Sequence, residues 1–318
     1  MSTILRSLVL LPVLMMVGCG GATDDATDAS GEEELTGSAS YVAIGDYWKT
    51  EADQSRWFAL RQKLDQQFDD ICGDTFCGGD YTNLQSLGLD CSVSRKTGRV
   101  GECLWAFAGS QESVDAKTGS VAVDAPHYLC RVSTKAFGNA LLAGLEADPL
   151  HATVPGTKTN LYDLIGECFN HPVGGTPLPG GTTGSYVEAP RQNGTEAQIS
   201  AWYDGRYALK KSFDEVCGDT FCGGDYSNLQ SLRFVCGVNG KTDTLGKCEW
   251  TFAGSYNTIA DASGVITANV KQFTCPVPVK GKASDLGATL AAEGTTPAIR
   301  RILPGTTKSA YDALLGCL

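Results

Sequence analysis

The chain has 318 residues, 13 of which are cysteines, and a formal net charge of −11 at pH 7. This acidic balance, without a basic stripe that alternates with aromatic residues, argues against nucleic acid as a partner. After the N-terminal segment, no stretch approaches the roughly 20 consecutive apolar residues that a membrane-spanning helix needs. These properties leave an exported, disulfide-rich protein as the class to test along the chain.

The first predicted element is an export signal over residues 1–18. Arg6 precedes an apolar run, Leu8 to Val17, which is too short for a stable membrane span. The segment Met16-Val17-Gly18-Cys19 resembles the lipobox of bacterial lipoproteins, in which the signal is cleaved before a cysteine that carries lipid. The resemblance implies a lipid on Cys19 and no other contact with the membrane. The alternative is an ordinary signal peptide with a stray cysteine, but the other 12 cysteines all belong to the repeats described below, which leaves Cys19 as the odd one.

Residues 19–39 are expected to form a disordered tether behind the lipidated cysteine. Gly20 to Ser40 holds six acidic residues, no basic residue and no aromatic residue, so it cannot bury enough apolar surface to order itself. Among bacterial lipoproteins, an aspartate directly after the lipidated cysteine often marks retention in the inner membrane. Gly20 stands there, which favours the outer membrane of the bacterial cell envelope.

Two segments of the chain are nearly identical. Residues 72–87 read CGDTFCGGDYTNLQSL, and residues 217–232 read CGDTFCGGDYSNLQSL. The flanking residues align with them, which predicts two tandem homologous domains at 40–171 and 185–318. A Gly/Pro/Thr linker at 172–184 joins the two domains.

The two predicted domains differ slightly in length. Most equivalent residues are separated by 145 positions, but the last cysteines are separated by 149. We expect the four additional residues of the second domain near 277–282. Each domain is large enough to build its own core, and we expect each to fold alone with few contacts to the other.

Each domain is predicted to begin with one amphipathic helix. Thr50 and Thr195 are typical helix starts, and the second forms a capping box with Gln198. Apolar residues then recur at helical spacing up to Cys72 in the first domain and Cys217 in the second. The glycine after each of these cysteines is expected to end the helix.

Strands are predicted after the repeated motif. In Cys248-Glu249-Trp250-Thr251-Phe252, apolar and polar residues alternate, which is typical of a half-buried strand. Similar segments before and after it predict an antiparallel β-meander of three or four strands. Short C-terminal helices near 137–145 and 162–165 complete the first domain, so the predicted fold class is α+β.

The 12 domain cysteines are expected to form six disulfides, three in each domain. Six cysteines allow 15 pairings, and we favour those that staple the motif loop, the first hairpin, and the last helix to the sheet. The expected pairs are Cys72–Cys77, Cys91–Cys103 and Cys130–Cys168 in the first domain, and Cys217–Cys222, Cys236–Cys248 and Cys275–Cys317 in the second. A zinc site is the alternative, but the chain has no C-x2-C spacing and the domains share no histidine, so no metal is expected.

The CGDTFCGGDY motif resembles a cysteine-rich signature of exported bacterial proteins whose activity is not characterised. The resemblance implies export and carries no activity. Oxygen-bearing and aromatic side chains of the motif are the candidate binding residues: Asp74, Asp80, Tyr81, Asn83, Asp219, Asp225, Tyr226 and Asn228. Calcium prefers such oxygen ligands, but the spacing matches no EF-hand loop. The favoured alternative is that the aspartates, with Thr82 and Ser227, close turns or cap helices.

The sequence favours a binding function over catalysis. Trp57, Trp105, Trp202 and Trp250 lie on apolar faces, where core packing is expected rather than carbohydrate stacking. No catalytic residue is assigned and no cofactor is expected, because no histidine is shared and every domain cysteine is needed for a disulfide.

We therefore expect a tandem binding or interaction module for an envelope protein or a glycan, whose two sites would gain from effective concentration. One alternative is a purely structural envelope spacer. The other is a carboxylate-dependent hydrolase that acts on a cell-wall or polysaccharide substrate.

Overall fold

The computed structural model describes residues 40–72, 81, 83–176, 178 and 183–318. The predicted signal, the tether and most of the first copy of the motif therefore lie outside the described residues. Helices and antiparallel strands make up the described ranges, which confirms the predicted α+β class.

The described strands form two four-stranded antiparallel sheets and one two-stranded ribbon. The strands are β1 (Tyr41–Ala43), β2 (Gln85–Ser94), β3 (Val100–Ala108), β4 (Gln111–Val114), β5 (Val121–Asp124), β6 (His127–Val132), β7 (Tyr186–Glu188), β8 (Gln230–Asn239), β9 (Leu245–Ile259) and β10 (Ile266–Val277). The first sheet has the order β1-β2-β3-β6, the second has the order β10-β9-β8-β7, and β4 pairs with β5 in the ribbon. The second sheet is a simple meander, whereas the ribbon interrupts the first between β3 and β6.

Helices cover one face of each sheet. They are α1 (Ile44–Tyr47), α2 (Glu51–Ile71), α3 (Gly138–Leu145), α4 (Leu161–Cys168), α5 (Glu196–Thr220), α6 (Ala283–Ala291) and α7 (Ala310–Leu314). The predicted caps are confirmed, since the Thr50 side chain accepts from the backbone N–H of Asp53 at 3.2 Å. Thr195 and Gln198 form the complete capping box.

Helix α5 extends further than the sequence predicted. We expected Gly218 to end it, but the helix continues to Thr220. The backbone N–H of Phe221 bonds to the Cys217 carbonyl, and the Phe221 ring stacks on Phe213 with the ring centroids 5.9 Å apart. The extra turn therefore shields an aromatic ring, which favours the helix over the left-handed stop that a glycine permits.

The four repeated tryptophans lie in the core, as predicted. Trp57 and Trp202 on the long helices, and Trp105 and Trp250 on the central strands, are all at most 2% exposed. The indole N–H of Trp105 donates to Ser86 at 2.8 Å, and that of Trp250 donates to Ser231 at 2.9 Å. These bonds satisfy two indole N–H groups inside the core, so the serines are part of the same core.

Disulfides connect the strands and helices of each repeat. The described bonds are Cys91–Cys103, Cys130–Cys168, Cys217–Cys222, Cys236–Cys248 and Cys275–Cys317, which are the pairs expected for these ten cysteines. The expected pair Cys72–Cys77 includes a residue outside the described ranges. Several disulfides in one chain are typical of an oxidising compartment outside the cytoplasm.

The two sheets pack against each other through the faces that the helices do not cover. Leu87, Ala106 and Ala108 of the first repeat form one buried cluster with Leu232 and Ala253 of the second. Small alanine side chains allow the sheets to approach closely, and both repeats belong to one compact unit. The expectation of few contacts between the repeats is therefore wrong.

Each repeat also extends an arm over the other. We call residues 111–124, the β4–β5 ribbon and its turn, the first arm, and residues 256–269 of the β9–β10 hairpin the second arm. At the first arm, the Ala116 carbonyl accepts from the N–H of Tyr186 at 3.0 Å and the Gly119 carbonyl accepts from the N–H of Lys247 at 2.9 Å. The reciprocal contact at the second arm is a bond from the N–H of Tyr41 to the Asp261 carbonyl at 3.1 Å.

The second arm carries an additional charged contact. Glu102 of the first repeat accepts from the backbone N–H of Ile266 at 2.8 Å and pairs with Arg131 at 2.8 Å. Arg131 in turn donates to the Ile266 carbonyl at 3.0 Å. The exchange of arms therefore joins the repeats through backbone bonds as well as apolar contacts.

The additional residues of the second repeat lie later than expected. Arg99 bridges to Phe137 and Thr244 bridges to Lys282, so the offset of 145 still holds at Lys282. The offset is 149 between the equivalent Val154-Pro155-Gly156 and Leu303-Pro304-Gly305 turns. The predicted position of the insertion, near 277–282, is thus wrong. The four additional residues lie between α6 and this turn.

Candidate functional site

The repeated asparagines of the motif bind backbone and side chains of the neighbouring strand. Asn83 donates to the Ser110 hydroxyl at 2.8 Å and accepts from the Ser110 N–H at 2.9 Å. Asn228 makes the same two bonds to Ser255, at 3.0 and 2.7 Å, and also donates to the Leu87 carbonyl of the first repeat. Both amide groups are therefore used inside the fold, which favours a structural role for this part of the motif.

The motif tyrosines differ between the repeats. The Tyr81 hydroxyl donates to Asp124 at 2.7 Å, which ties it to the first arm. Tyr226 is half-buried against Tyr256 and Phe273, with ring centroids 5.4 and 6.0 Å away. Lys271 lies over the Tyr226 ring, 5.6 Å from its centroid. Both tyrosines lie over equivalent glycines, Gly109 and Gly254, and the first arm supplies Tyr81 with a carboxylate where the second repeat has Asn269.

Of the four motif carboxylates, the structure describes only that of Asp225. Asp225 is exposed in a single 3-10 turn, Gly224–Tyr226, that has no side-chain cap. Asp74 and Asp80 lie outside the described residues, as does the side chain of Asp219. Ser227 does not cap a helix, because the chain turns directly into strand β8. That capping interpretation of the sequence is wrong for Ser227.

A groove on the second repeat gathers a different set of side chains. It is a cavity of about 330 Å³ between helix α5 and strand β8. Its lining residues are Tyr203, Arg206, Tyr207, Lys210, Ser231, Leu232, Arg233, Phe234 and Trp250. The first four lie at positions i, i+3, i+4 and i+7 of α5, so they project from one face of the helix. We call this cavity the α5–β8 groove.

Two exposed tyrosines border the groove. Tyr203 is 53% exposed and Tyr207 is 71% exposed, although aromatic side chains of this size usually bury most of their surface. They are one helical turn apart, with Arg206 between them in sequence. An apolar ring face next to a cation can hold a ligand that has both apolar and charged groups.

Arg206 has no hydrogen bond or ion pair with any described residue. It is partly buried, and this burial lowers the pKa of its guanidinium, with a further lowering from the nearby charge of Arg233. The charges of Glu188 and Glu112 offset this lowering of the pKa only in part. A desolvated cation without a partner is costly for the fold, so Arg206 is the side chain in the groove that an anion would stabilise most.

Arg233, in contrast, is already paired. It contacts Glu188 at 2.6 Å and Glu112 of the first arm at 3.4 Å. Burial raises the pKa of the Glu112 carboxyl, while a bond from the Ser110 hydroxyl at 2.6 Å and the charge of Arg233 act against this rise. The first repeat therefore supplies a carboxylate that pairs with Arg233, a lining residue of the groove in the second repeat.

Lys210 at the other end of the groove also bonds to the first repeat. Its ammonium group donates to Gln85 at 3.0 Å. Lys210 can still reach a ligand, because an ammonium group has three donors. The first repeat thus holds two lining residues of the groove, Lys210 through Gln85 and Arg233 through Glu112.

The equivalent region of the first repeat is closed. Positions equivalent to Tyr207, Lys210 and Arg233 hold Gln62, Asp65 and Gly88. Arg61, the equivalent of Arg206, pairs with Asp90 at 3.5 Å. An added Cβ at Gly88 would lie 2.7 Å from Nη2 of Arg61, so this side chain covers the strand where the second repeat has its groove.

The candidate residues of the sequence analysis did not include the groove. Identity of the motif in the two copies marked the candidate residues, whereas Tyr207, Lys210 and Arg233 of the groove stand at positions where the copies differ. Arg206 is shared with the first repeat, as Arg61, but lies outside the motif. The signal was present in helix α5, where exposed Tyr203 and Tyr207 fall outside the apolar stripe that contains Trp202 and Leu209. A comparison of differences on the outer face of the two helices would have found it.

Over the described residues, no group of three histidine, cysteine or acidic side chains is placed to hold a metal ion. No helix in the same part of the chain is both long and apolar enough to cross a membrane. Comparisons of the chain with protein-family models, with curated proteins and with solved structures gave no match.

Proposed function

We propose that this protein is a lipid-anchored binding module of the bacterial cell envelope that holds a glycan in the α5–β8 groove. The observation that supports this most is the pair of exposed tyrosines beside Arg206, a cation without a partner in the described chain. The groove, about 330 Å³, is near the lower end of the range for ligand sites, which suits one or two sugar residues.

The shape and chemistry of the groove favour a sugar over a flat protein surface. Sugar rings have apolar C–H faces that can pack on tyrosine rings and hydroxyl groups that can accept from arginine and lysine. The groove is concave and lies along a single helix, which suits a chain of small rings. Because the equivalent region of the first repeat is closed by Arg61, the proposal assigns one site to the protein rather than two equal ones.

The location part of the proposal rests on the N-terminal sequence. A lipid on Cys19 would hold the protein at the membrane, and Gly20 after it favours the outer membrane. Cys19→Ala should move the protein from the detergent phase to the aqueous phase in a Triton X-114 partition. Unchanged partitioning of this variant would contradict the lipid anchor and would leave the groove unaffected.

The binding part can be tested by sedimentation with insoluble envelope polysaccharide. The full chain, extracted in detergent, should sediment with the polysaccharide, and Tyr207→Ala should lower the bound fraction severalfold. Phe58→Ala is the matched control, because Phe58 is 58% exposed at the first-repeat position equivalent to Tyr203 and lies outside the groove. No sedimentation of the wild type, or equal loss in both variants, would favour a structural spacer.

A further inference from the structure

We propose that the α5–β8 groove selects an acidic sugar and that the sugar's carboxylate pairs with Arg206; this inference rests on the proposed function. Among the groove cations, Arg233 contacts two glutamates and Lys210 donates to Gln85. Arg206 has neither kind of contact with any described residue. The groove therefore has one guanidinium whose donors are free for a ligand.

The geometry of a guanidinium suits a carboxylate. Its planar fork presents parallel N–H donors that can bind both carboxylate oxygens at once. The partial burial of Arg206 strengthens this pairing, since the surroundings screen the charges less than bulk water does. A sugar that carries its carboxylate on the ring would place the ring beside the neighbouring Tyr203 and Tyr207.

The remaining charges of the groove favour a single negative charge over a phosphate. Glu112 and Glu188 pair with Arg233, which lines the groove, and both act on Arg206 through their charge. Because Arg233 is already paired with these two carboxylates, the unpaired guanidinium of Arg206 is matched by one negative charge, and a phosphate with nearly two would leave excess negative charge near Glu112 and Glu188. We therefore assign the site to a uronic acid residue.

The chain contains a matched control for Arg206. Arg61 is the equivalent residue of helix α2, but it pairs with Asp90 and covers the closed region of the first repeat. Removing its charge should leave the groove intact. A thermal melt of each variant would verify that it is folded before binding is measured.

Isothermal titration calorimetry of the full chain in detergent would test the inference with trigalacturonate and its fully methyl-esterified form. The acidic trisaccharide should bind, the ester should bind at least about tenfold more weakly, and Arg206→Gln should weaken acid binding by about tenfold to a hundredfold. Arg61→Gln should bind like the wild type.

Several results would overturn the inference. Equal binding of acid and ester, or an unchanged affinity in folded Arg206→Gln, would show that the carboxylate is not recognised by Arg206. If Tyr207→Ala still reduced binding in that case, the proposed glycan function would stand without the acidic preference. Absence of any trigalacturonate binding would reject the uronic acid as the ligand. So would better displacement of bound trigalacturonate by glucose 6-phosphate than by galacturonate. The polysaccharide sedimentation would separately decide the proposed function.

Discussion

The contact between the first arm and Tyr186 should make Gly119 sensitive to the smallest substitution. Gly119 has a φ of +69°, and a Cβ added there would lie 2.5 Å from Cδ1 and 2.7 Å from Cε1 of Tyr186. Gly264 on the second arm has the reciprocal arrangement, with a φ of +74° and Cδ1 of Tyr41 at 2.5 Å. We expect Gly119→Ala to lift the arm from the second repeat or to displace the tyrosine ring.

Two costs add up in this variant. An alanine in the left-handed region costs about 1–2 kcal/mol relative to glycine. The close contact adds about 1–3 kcal/mol, the usual penalty for overpacking a well-filled site, because carbon atoms are at their best separation near 3.5–4.0 Å. The free energy of unfolding should therefore fall by about 2–5 kcal/mol.

Gly224→Ala separates the two costs. Gly224 has nearly the same φ, +67°, but no atom lies within 4 Å of its added Cβ. Urea unfolding of the oxidised protein, followed by far-UV circular dichroism, should show a loss of about 1–2 kcal/mol for Gly224→Ala and a larger loss for Gly119→Ala. Equal losses in the two variants would refute the arm contact, since only the backbone conformation would then matter.

Three further substitutions test the electrostatics and the motif. Burial raises the folded-state pKa of Glu112, so its carboxylate destabilises the fold as pH rises from the ordinary glutamate pKa through the raised one. In urea unfolding at several pH values, the free energy of unfolding of Glu112→Gln relative to wild type should increase over that window. A constant difference would contradict the buried carboxylate. Asn228→Ala should lower the free energy of unfolding by about 1–3 kcal/mol, because the bonds to Ser255 and Leu87 are lost, and a smaller effect would mean that water replaces the amide. Asp225→Ala should change it by no more than about 0.5 kcal/mol because Asp225 is exposed and caps no helix, so a larger loss would restore the turn-forming role that the sequence suggested.

The long helices and the central strands could be predicted because their signals are local, and the described disulfides agree with the pairs favoured for stapling the motif loop, the first hairpin and the last helix. The capping box at Thr195 and the buried spacing of Trp202, Leu209 and Phe213 define helix α5 without reference to the rest of the molecule. The end of the helix could not be predicted, because the stacking of Phe221 on Phe213 outweighs the usual preference of glycine for a helix stop.

The contact between the repeats could not be predicted from the alternation of residues in strand β9, because alternation usually indicates that one face of a strand is exposed to solvent. In strand β9, Glu249 and Thr251 alternate with buried aromatic residues, yet Thr251 is fully buried on the face that the first repeat covers. The first repeat carries the clearer signal, since Leu104 and Ala106 on the same face of β3 are apolar and fully buried. A strand that is apolar on both faces needs a second partner, and here that partner is the other repeat.

The candidate site was mislocated for a related physical reason. Identity between the two copies marks residues such as Asn83 and Asn228 that hold the same strand in each repeat. A ligand site in only one copy requires residues that differ between the copies. Tyr207 and Arg233 of the groove are such residues, since the equivalent positions of the first repeat hold a glutamine and a glycine. The unpaired state of Arg206 depends on the absence of a nearby acceptor, which only the folded arrangement reveals.

The most direct test of the account is hydrogen–deuterium exchange of the full chain in detergent, with and without soluble envelope polysaccharide. Binding in the α5–β8 groove should slow exchange in residues 203–210 of helix α5 and 231–234 of strand β8. The equivalent residues 58–65 and 86–89 of the first repeat should exchange at unchanged rates. Protection centred on Tyr226 and the motif, or equal protection in both repeats, would contradict a single site in this groove.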